Sequence, residues 1–322
     1  MNDNCYLLGD IGGTHTRLAV LTASGITDIQ VFNNRIFGSL TELIRRYALS
    51  LPALHQPSRA VLAVAGPVIE DPRSGHQAVF MTNLGWQIEA DQLAVGMGYH
   101  TVTLINDFSA LALSLPYLNA VDLCPIGQGQ AISGAAMAVI GPGTGLGISG
   151  LLPINQQWVA VQGEGGHATL AASNEAEFAL LNRLRQRFGH VSAERIISGS
   201  GLSLLYEVLT AEHGQPQHLP PEEISKRAIA GSDAQAQQAL ALFFGFLGSV
   251  AGNLALTLGA RGGVFLAGGI LPQMIAALEA SSFRQRFEDK GRYRNYLATI
   301  PCYVIINPQV VFRGLRSLAE VQ

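Results

Sequence analysis

The sequence predicts an α/β protein of two lobes, and three observations support this fold class. The chain has 322 residues, which is more than one hydrophobic core usually accommodates. Short apolar runs suited to buried strands are joined by glycine turns or by segments suited to helices. A pattern of strand, glycine-rich turn and strand occurs near residue 12 and again near residue 144. It is the one architectural repetition in the chain, and no linker or low-complexity tract separates the two halves.

The first half begins with a predicted β-hairpin. Residues 6–8 are apolar, Gly12-Gly13-Thr14 forms the turn, and residues 17–22 are the second strand. A capping box at residues 39–42 predicts the start of a helix. The other predicted elements of this half are buried strands at 61–65 and 102–105, an edge strand at 76–82 and a short helix at 88–93.

The second half repeats the hairpin and then becomes helical. The predicted strands are 136–140, 148–152, 158–161, 264–267 and 302–306, and the predicted helices are 175–188, 202–212 and 222–230. Residues 239–258 are almost entirely apolar and long enough on paper to span a bilayer. Because alanine and glycine are frequent there, and Asn253 and Thr257 lie inside, we expect a buried central helix instead.

Composition narrows the class of protein. The formal net charge of −3 argues against nucleic acid as a partner. Charged residues make up only 13% of the chain, which suggests that a partner subunit covers part of the surface. Cys5, Cys124 and Cys302 form neither a disulfide framework nor a metal-binding pair with short spacing. The first ten residues lack the features of a signal peptide. We therefore expect a cytoplasmic protein that does not bind a membrane.

The two glycine turns are candidate phosphate sites. A turn that approaches phosphate closely needs residues without Cβ and with free backbone N–H groups. Either turn alone is better explained by a tight hairpin, but two turns that share a Gly-Thr pair favour phosphate binding. The candidate residues are Gly12, Gly13, Thr14, Gly143, Thr144 and Gly145, with Asp10 placed to hold Mg²⁺, directly or through water.

Two other nucleotide motifs do not fit. The Walker A motif is absent because no lysine follows either turn. Residues 145–150 match G-x-G-x-x-G, but a strand-rich segment follows where the dinucleotide fingerprint requires a helix. We interpret this match as accidental.

Polar residues at strand ends suggest acid–base chemistry. Asn106 and Asp107 end a predicted buried strand, where α/β sheets place ligands. Asp107 could accept a proton from an attacking hydroxyl, or it could simply cap the following helix. Glu164 and His167 share a glycine-rich turn, and Glu194 lies near a helix start. Glycines there leave room for polar side chains around one small ligand.

Seven motifs together resemble the bacterial glucokinase family. They are residues 10–17 (DIGGTHTR), 105–110 (INDFSA), 141–147 (GPGTGLG), 163–167 (GEGGH), 190–199 (HVSAERIISG), 262–270 (GGVFLAGGI) and 287–292 (FEDKGR). The resemblance implies the actin-like, ribonuclease H-like sugar-kinase fold, in which each lobe has a mixed sheet flanked by helices. It also implies a small α/β lobe of residues 1–116 plus 308–322 and a large α+β lobe of residues 117–307.

The same resemblance implies the roles of individual residues. Asp107 would be the base that deprotonates the glucose 6-hydroxyl. The other sugar-binding residues would be Asn106, Glu164, His167 and Glu194. ATP would be held by residues 12–14 and 143–145 at its phosphates and by Gly268 and Gly269 beside the adenosine. Mg²⁺ is implied as a cofactor and a homodimer as the assembly. No zinc is expected, because the cysteines of the zinc-binding relatives are missing.

Two alternatives to an ATP-dependent glucose kinase stay open at this point. The same fold could phosphorylate another hexose or an amino sugar. The chain could also be an inactive regulator that binds sugar and ATP, although such a protein would be expected to lose Asp107, which is present.

Overall fold

The structure, a computed structural model, describes residues 5–212 and 214–321. These residues form two compact units. The first runs to Leu118 and also contains Ala160–Gln162 and the segment from Gln309 onward, and the second contains Asn119–Val159 and Gly163–Pro308. The predicted lobe boundaries stay a prediction, because a compact unit is not by itself an independently folding domain.

The described residues form strands and helices with the following bounds. The strands are β1 (Tyr6–Ile11), β2 (His15–Thr22), β3 (Gly25–Asn33), β4 (Arg59–Val64), β5 (Ile69–Glu70), β6 (Gln77–Met81), β7 (Trp86–Glu89), β8 (Thr101–Asn106), β9 (Leu123–Ile126), β10 (Met137–Pro142), β11 (Leu146–Ile154), β12 (Gln157–Val161), β13 (Gly263–Leu266) and β14 (Cys302–Ile305). The helices are α1 (Leu40–Ala48), α2 (Ala90–Met97), α3 (Asp107–Ser114), α4 (Glu175–Phe188), α5 (Ala193–Ile196), α6 (Gly199–Glu212), α7 (Pro221–Ala230), α8 (Ala234–Leu258), α9 (Ile275–Glu279), α10 (Phe283–Glu288), α11 (Arg294–Ala298) and α12 (Val311–Ala319).

Two sheets share one strand order. The first is β3-β2-β1-β4-β8, and the second is β12-β11-β10-β13-β14 with β9 added at its edge. In each sheet the first hairpin is antiparallel and the following strands are parallel to its first strand. Strand β9 pairs antiparallel to β14 and has no counterpart in the first sheet. The two predicted hairpins and the architectural repetition are therefore confirmed.

A small third sheet corrects two predictions. Its order is β5-β6-β7, so the strand expected at an edge near residues 76–82 is the central one. The helix expected at 88–93 begins only at Ala90, because Ile88 belongs to β7 and pairs with Val79 of β6.

Helix α8 is the central helix of the second unit. It is the one described helix long and apolar enough to cross a membrane, yet 67% of its most hydrophobic stretch is buried inside the protein. A Cβ on Gly248 would lie 2.3 Å from the carbonyl oxygen of Phe283, and one on Gly252 would lie 2.4 Å from that of Phe287. Glycine is therefore needed where α10 contacts α8. The prediction of a buried central helix is confirmed.

The three cysteines differ in burial. Cys5 and Cys302 are buried and Cys124, on β9, is partly exposed; all three are free thiols. Burial raises the pKa of Cys5. Burial also raises the pKa of Cys302 to about 12, with a smaller opposing effect from Arg284. The buried thiols are therefore protonated at neutral pH.

Candidate active site

The carboxyl ends of three parallel strands lie at one level in the first unit. Ile11 of β1 pairs with Val64 of β4, and Val64 pairs with Asn106 of β8. The first glycine turn follows β1, Gly66 lies just beyond β4, and Asp107 follows β8. The sheet therefore places these segments along the same edge, as parallel α/β sheets do with their ligand sites.

Asn106 caps helix α3 and orients Asp107. Its Oδ1 accepts a hydrogen bond from the Ser109 backbone N–H at 3.1 Å. Its Nδ2 donates to the carbonyl of Gly66 at 3.2 Å and to Asp107 Oδ1 at 3.0 Å. The same Asp107 oxygen accepts from the Phe108 backbone N–H at 2.9 Å. The alternative in which Asp107 is the N-cap is wrong, because Asn106 holds that position.

The C-terminal helix supports α3. A Cβ on Gly314 of α12 would lie 2.1 Å from the carbonyl oxygen of Ala110, so the two helices meet at a distance that only glycine permits. Arg313 also donates to the carbonyl of Tyr117, just after α3, at 2.8 Å. The helix that carries Asp107 is therefore fixed from both sides, by strand β8 and by α12.

The first glycine turn is held by Asn34, a residue that sequence reasoning missed. Asn34 is buried and donates from Nδ2 to the carbonyl of Gly12 at 2.7 Å, while its backbone N–H donates to the carbonyl of Thr14 at 2.9 Å. Gly12 closes the turn by donating to the His15 carbonyl at 3.0 Å. Thr14 and His15 are both exposed. No local motif marks Asn34, since its contact depends on how β3 ends beside the turn.

Asp10 forms an ion pair across the first hairpin. It lies directly opposite Arg17, and the two side chains meet at 2.9 Å between Oδ2 and Nη1. Burial raises the pKa of Asp10, and the nearby guanidinium of Arg17 partly offsets that effect. The ion pair holds the Asp10 carboxylate one residue before the end of β1.

The second glycine turn is enclosed by two other glycine-rich segments. Gly143 donates to the carbonyl of Gly145 at 2.8 Å, and Gly199, at the start of α6, donates to the carbonyl of Gly143 at 2.9 Å. Gly268 has φ +90°, and a Cβ there would lie 2.3 Å from the carbonyl oxygen of Pro142. Residue 268 therefore has to be glycine, because a side chain would be strained at this φ and its Cβ would clash with the Pro142 carbonyl. The structure thus brings the two predicted nucleotide segments of this unit, 143–145 and 268–269, together.

Glu194 contacts this turn directly. Its Oε2 accepts a hydrogen bond from the Leu146 backbone N–H at 2.8 Å. A Cβ on Gly145 would lie only 2.4 Å from the same oxygen. Its Oε1 lies 3.9 Å from His167 Nε2. The neighbouring residues suggested a first-turn acid and the family resemblance a sugar-binding residue, but the bond to Leu146 was not predicted.

Glu164 and His167 occupy the short turn beside β11. His167 donates its backbone N–H to the carbonyl of Glu164 at 3.0 Å, and both side chains are exposed. Gly166 allows the turn to approach β11, since a Cβ there would lie 2.0 Å from the carbonyl oxygen of Leu146. The structure thus brings the side chains of Glu194 and His167 together. Glu164 lies in the same turn as His167, three positions earlier in the sequence.

No metal centre is visible in the part of the chain that the structure describes. Among residues 5–212 and 214–321, no group of three or more His, Cys, Asp or Glu side chains is arranged to hold a metal ion. The expected absence of zinc stays a prediction.

Two sheets of the same order, each containing a hairpin built around a glycine turn, agree with the predicted actin-like sugar-kinase fold. A sequence model of the Glucokinase family matches residues 7–322. A glucokinase of Nitrobacter hamburgensis is 42% identical over 313 residues, which cover 97% of this chain and 96% of the relative. A glucokinase of Aromatoleum aromaticum is 46% identical over 303 residues, covering 93% and 90%.

A solved structure agrees with the sequence relatives. The crystal structure of a glucokinase from an Antarctic psychrotroph matches 99% of this chain and 99% of its own length, with a TM-score of 0.86 and 35% identity. The chain therefore belongs to the glucokinase family.

Proposed function

We propose that this protein transfers the γ-phosphoryl group of ATP to the 6-hydroxyl of glucose, with Asp107 as the general base. The observation that carries the proposal is the orientation of Asp107 at the sheet edge, where Asn106 and Phe108 both donate to its Oδ1. A positioned carboxylate can accept the proton of the attacking hydroxyl in phosphoryl transfer. The glucokinases among its relatives support the same reaction.

The sugar is held by hydroxyl acceptors. We assign this role to Asn106, Asp107, Glu164, His167 and Glu194. Glucose hydroxyls can donate hydrogen bonds, and each carboxylate can accept them through its two oxygens. Such paired bonds fix the orientation of the sugar ring. Glu194 and His167 are 33% and 60% exposed, which leaves their polar atoms accessible to a sugar.

ATP is bound by the two turns. The phosphate-binding residues that we assign are Gly12, Gly13 and Thr14 of the first turn and Gly143, Thr144 and Gly145 of the second. Gly268 and Gly269 lie against the adenosine. The narrow backbone at these positions supports the assignment, because a phosphate needs close approach to N–H groups.

Mg²⁺ is the proposed metal, and Asp10 fits it. Arg17 donates a hydrogen bond to Oδ2 of the Asp10 carboxylate. A carboxylate is the kind of ligand that Mg²⁺ prefers. When bound with ATP, Mg²⁺ neutralises charge on the phosphates. We expect activity to require Mg²⁺ and elemental analysis to find no stoichiometric zinc.

The proposed setting is a cytoplasmic homodimer with no nucleic acid or membrane partner. Three unpaired cysteines fit a reducing compartment. The net charge of −3 disfavours nucleic acid, and the low charged fraction of 13% suggests that a partner subunit covers part of the surface. Sedimentation tests the dimer.

Replacement of the base tests the function. Asp107→Asn keeps the size of the side chain but removes the proton acceptor, so kcat should fall by roughly 10²–10⁴-fold while glucose still binds. Turnover is measured by coupled ADP release over a panel of hexoses, and glucose binding by calorimetry. The matched control is Asp71→Asn, an exposed aspartate of the first unit. Near-normal turnover in Asp107→Asn would remove this residue from the mechanism.

A further inference from the structure

The carboxylate of Glu194 contacts two functional segments at once. One oxygen accepts from the Leu146 N–H, at the end of the second glycine turn, at 2.8 Å. The other lies 3.9 Å from Nε2 of His167, which is too long for a hydrogen bond and leaves that oxygen toward the sugar residues. All of these groups belong to the second unit. One side chain thus lies between the proposed sugar and phosphate sites.

The turn and the carboxylate restrict each other. A Cβ on Gly145 would lie 2.4 Å from Glu194 Oε2, so the carboxylate fills the space that a side chain at residue 145 would need. Leu146 and Glu194 are 48 residues apart in the sequence. A movement of Glu194 therefore has to be accompanied by a movement of the Gly145–Leu146 backbone, or by loss of their hydrogen bond.

We propose that Glu194 couples sugar binding to nucleotide binding, so that each ligand raises the affinity for the other. The proposal rests on the proposed function. A sugar hydroxyl that donates to Oε1 restricts rotation of the carboxylate, and this keeps Oε2 on the Leu146 N–H. The turn is then ordered before the phosphates arrive, which lowers the entropy lost on nucleotide binding. The same coupling acts in the reverse direction, because linkage is reciprocal.

Glu164 provides a matched comparison. It is also an acidic residue assigned to the sugar, and its side chain is exposed. Its carboxylate has no hydrogen bond to residues 143–146 in the described structure, and its backbone carbonyl accepts from the His167 N–H. Loss of the Glu164 carboxylate should weaken sugar binding and leave the turn unchanged.

The test is calorimetric titration of glucose with and without saturating ADP, in the wild type, Glu194→Gln and Glu164→Gln. An amide has one acceptor oxygen, so the side chain in Glu194→Gln cannot accept from both Leu146 and a sugar hydroxyl through separate oxygens. We expect ADP to tighten glucose binding by at least about 5-fold in the wild type, within the usual range of coupling. Glu164→Gln should bind glucose more weakly with the same ratio, and Glu194→Gln should give a ratio near 1.

Each outcome decides between the alternatives. A ratio in Glu194→Gln equal to that of the wild type would overturn the coupling and leave the proposed function intact. A wild-type protein that binds no glucose would overturn the proposed function itself. If Glu194→Gln binds glucose too weakly to titrate, Gly145→Ala replaces it, since the added methyl displaces the carboxylate from Leu146 without removing its charge. A wild-type ratio in that variant would also contradict the proposal.

Discussion

The two glycine turns follow strands in equivalent positions of their sheets, yet they are held in different ways. The first is held by a neutral side chain, since the Asn34 amide donates to the carbonyl of Gly12. The second is held by a charged one, since the Glu194 carboxylate accepts from the N–H of Leu146. Gly268 also encloses the second turn, although the threonine of each turn, Thr14 and Thr144, is exposed.

This difference shows that equal topology does not give equal connection to the rest of the site. Asn34 directly follows β3, so the hydrogen bonds that hold the first turn come from a segment beside its own sheet. Glu194 belongs to α5 and also faces His167. A disturbance of the second turn should therefore reach the proposed sugar-binding residues, while a disturbance of the first should affect ATP binding alone.

A methyl group added to each turn gives the largest expected contrast. Gly145→Ala pushes against Glu194 Oε2, and loss of a charged hydrogen bond costs about 1.5–3 kcal/mol, so the KM for glucose should rise roughly 10–100-fold together with that for ATP. Gly13→Ala meets Asn83 Nδ2 at 3.3 Å, the end of a side chain that can move, so only the KM for ATP should change. Steady-state kinetics with each substrate varied measure both. Equal effects on glucose would break the comparison.

The enclosure of the second turn can be tested at Gly268. Gly268→Ala combines φ +90° with a contact at 2.3 Å to the Pro142 carbonyl, so it should destabilise the protein by roughly 1–3 kcal/mol. The melting temperature should fall by about 2–4 °C for each kcal/mol. Gly269→Ala is the control, because no described atom lies within 4 Å of its Cβ position. Equal melting temperatures for the two variants would show that Gly268 does not restrict the turn.

The support of the first turn should give the smallest effect. Asn34→Asp removes the donor to Gly12 and places two acceptors face to face, so the KM for ATP should rise several-fold. The KM for glucose should stay constant. Asn33→Asp is the matched control, because Asn33 is exposed and acts through its acceptor oxygen, which aspartate retains. An equal rise in both variants would assign the effect to charge alone.

Local chemistry explains which parts of the fold the sequence could predict. Both hairpins depend on short apolar runs beside glycine turns, and α4 follows its predicted range of Glu175–Phe188. The errors near residue 80 have a tertiary cause. Strand β5 has two residues and carries little pattern, and Ile88 takes a strand position because it pairs with Val79.

The sequence could nominate candidate site residues but not the contacts between them. Asp107 and Asn106 follow an apolar strand, which local sequence reveals, but the bond from Asn106 to Gly66 crosses 40 residues. The bond from Asn34 to Gly12 crosses 22 residues. Such contacts depend on how strands and helices pack, and no spacing in one sequence encodes them.

The unequal burial of the cysteines has a practical consequence for these experiments. The thiolate is the reactive form, so the buried thiol of Cys302, with its pKa raised to about 12, resists alkylation in the folded protein. Cys5 is also buried, and Cys124 is the partly exposed one. A maleimide fluorophore should therefore attach at Cys124 without mutagenesis. Because β9 is the strand that the first sheet lacks, a single dye there reports on the second unit specifically.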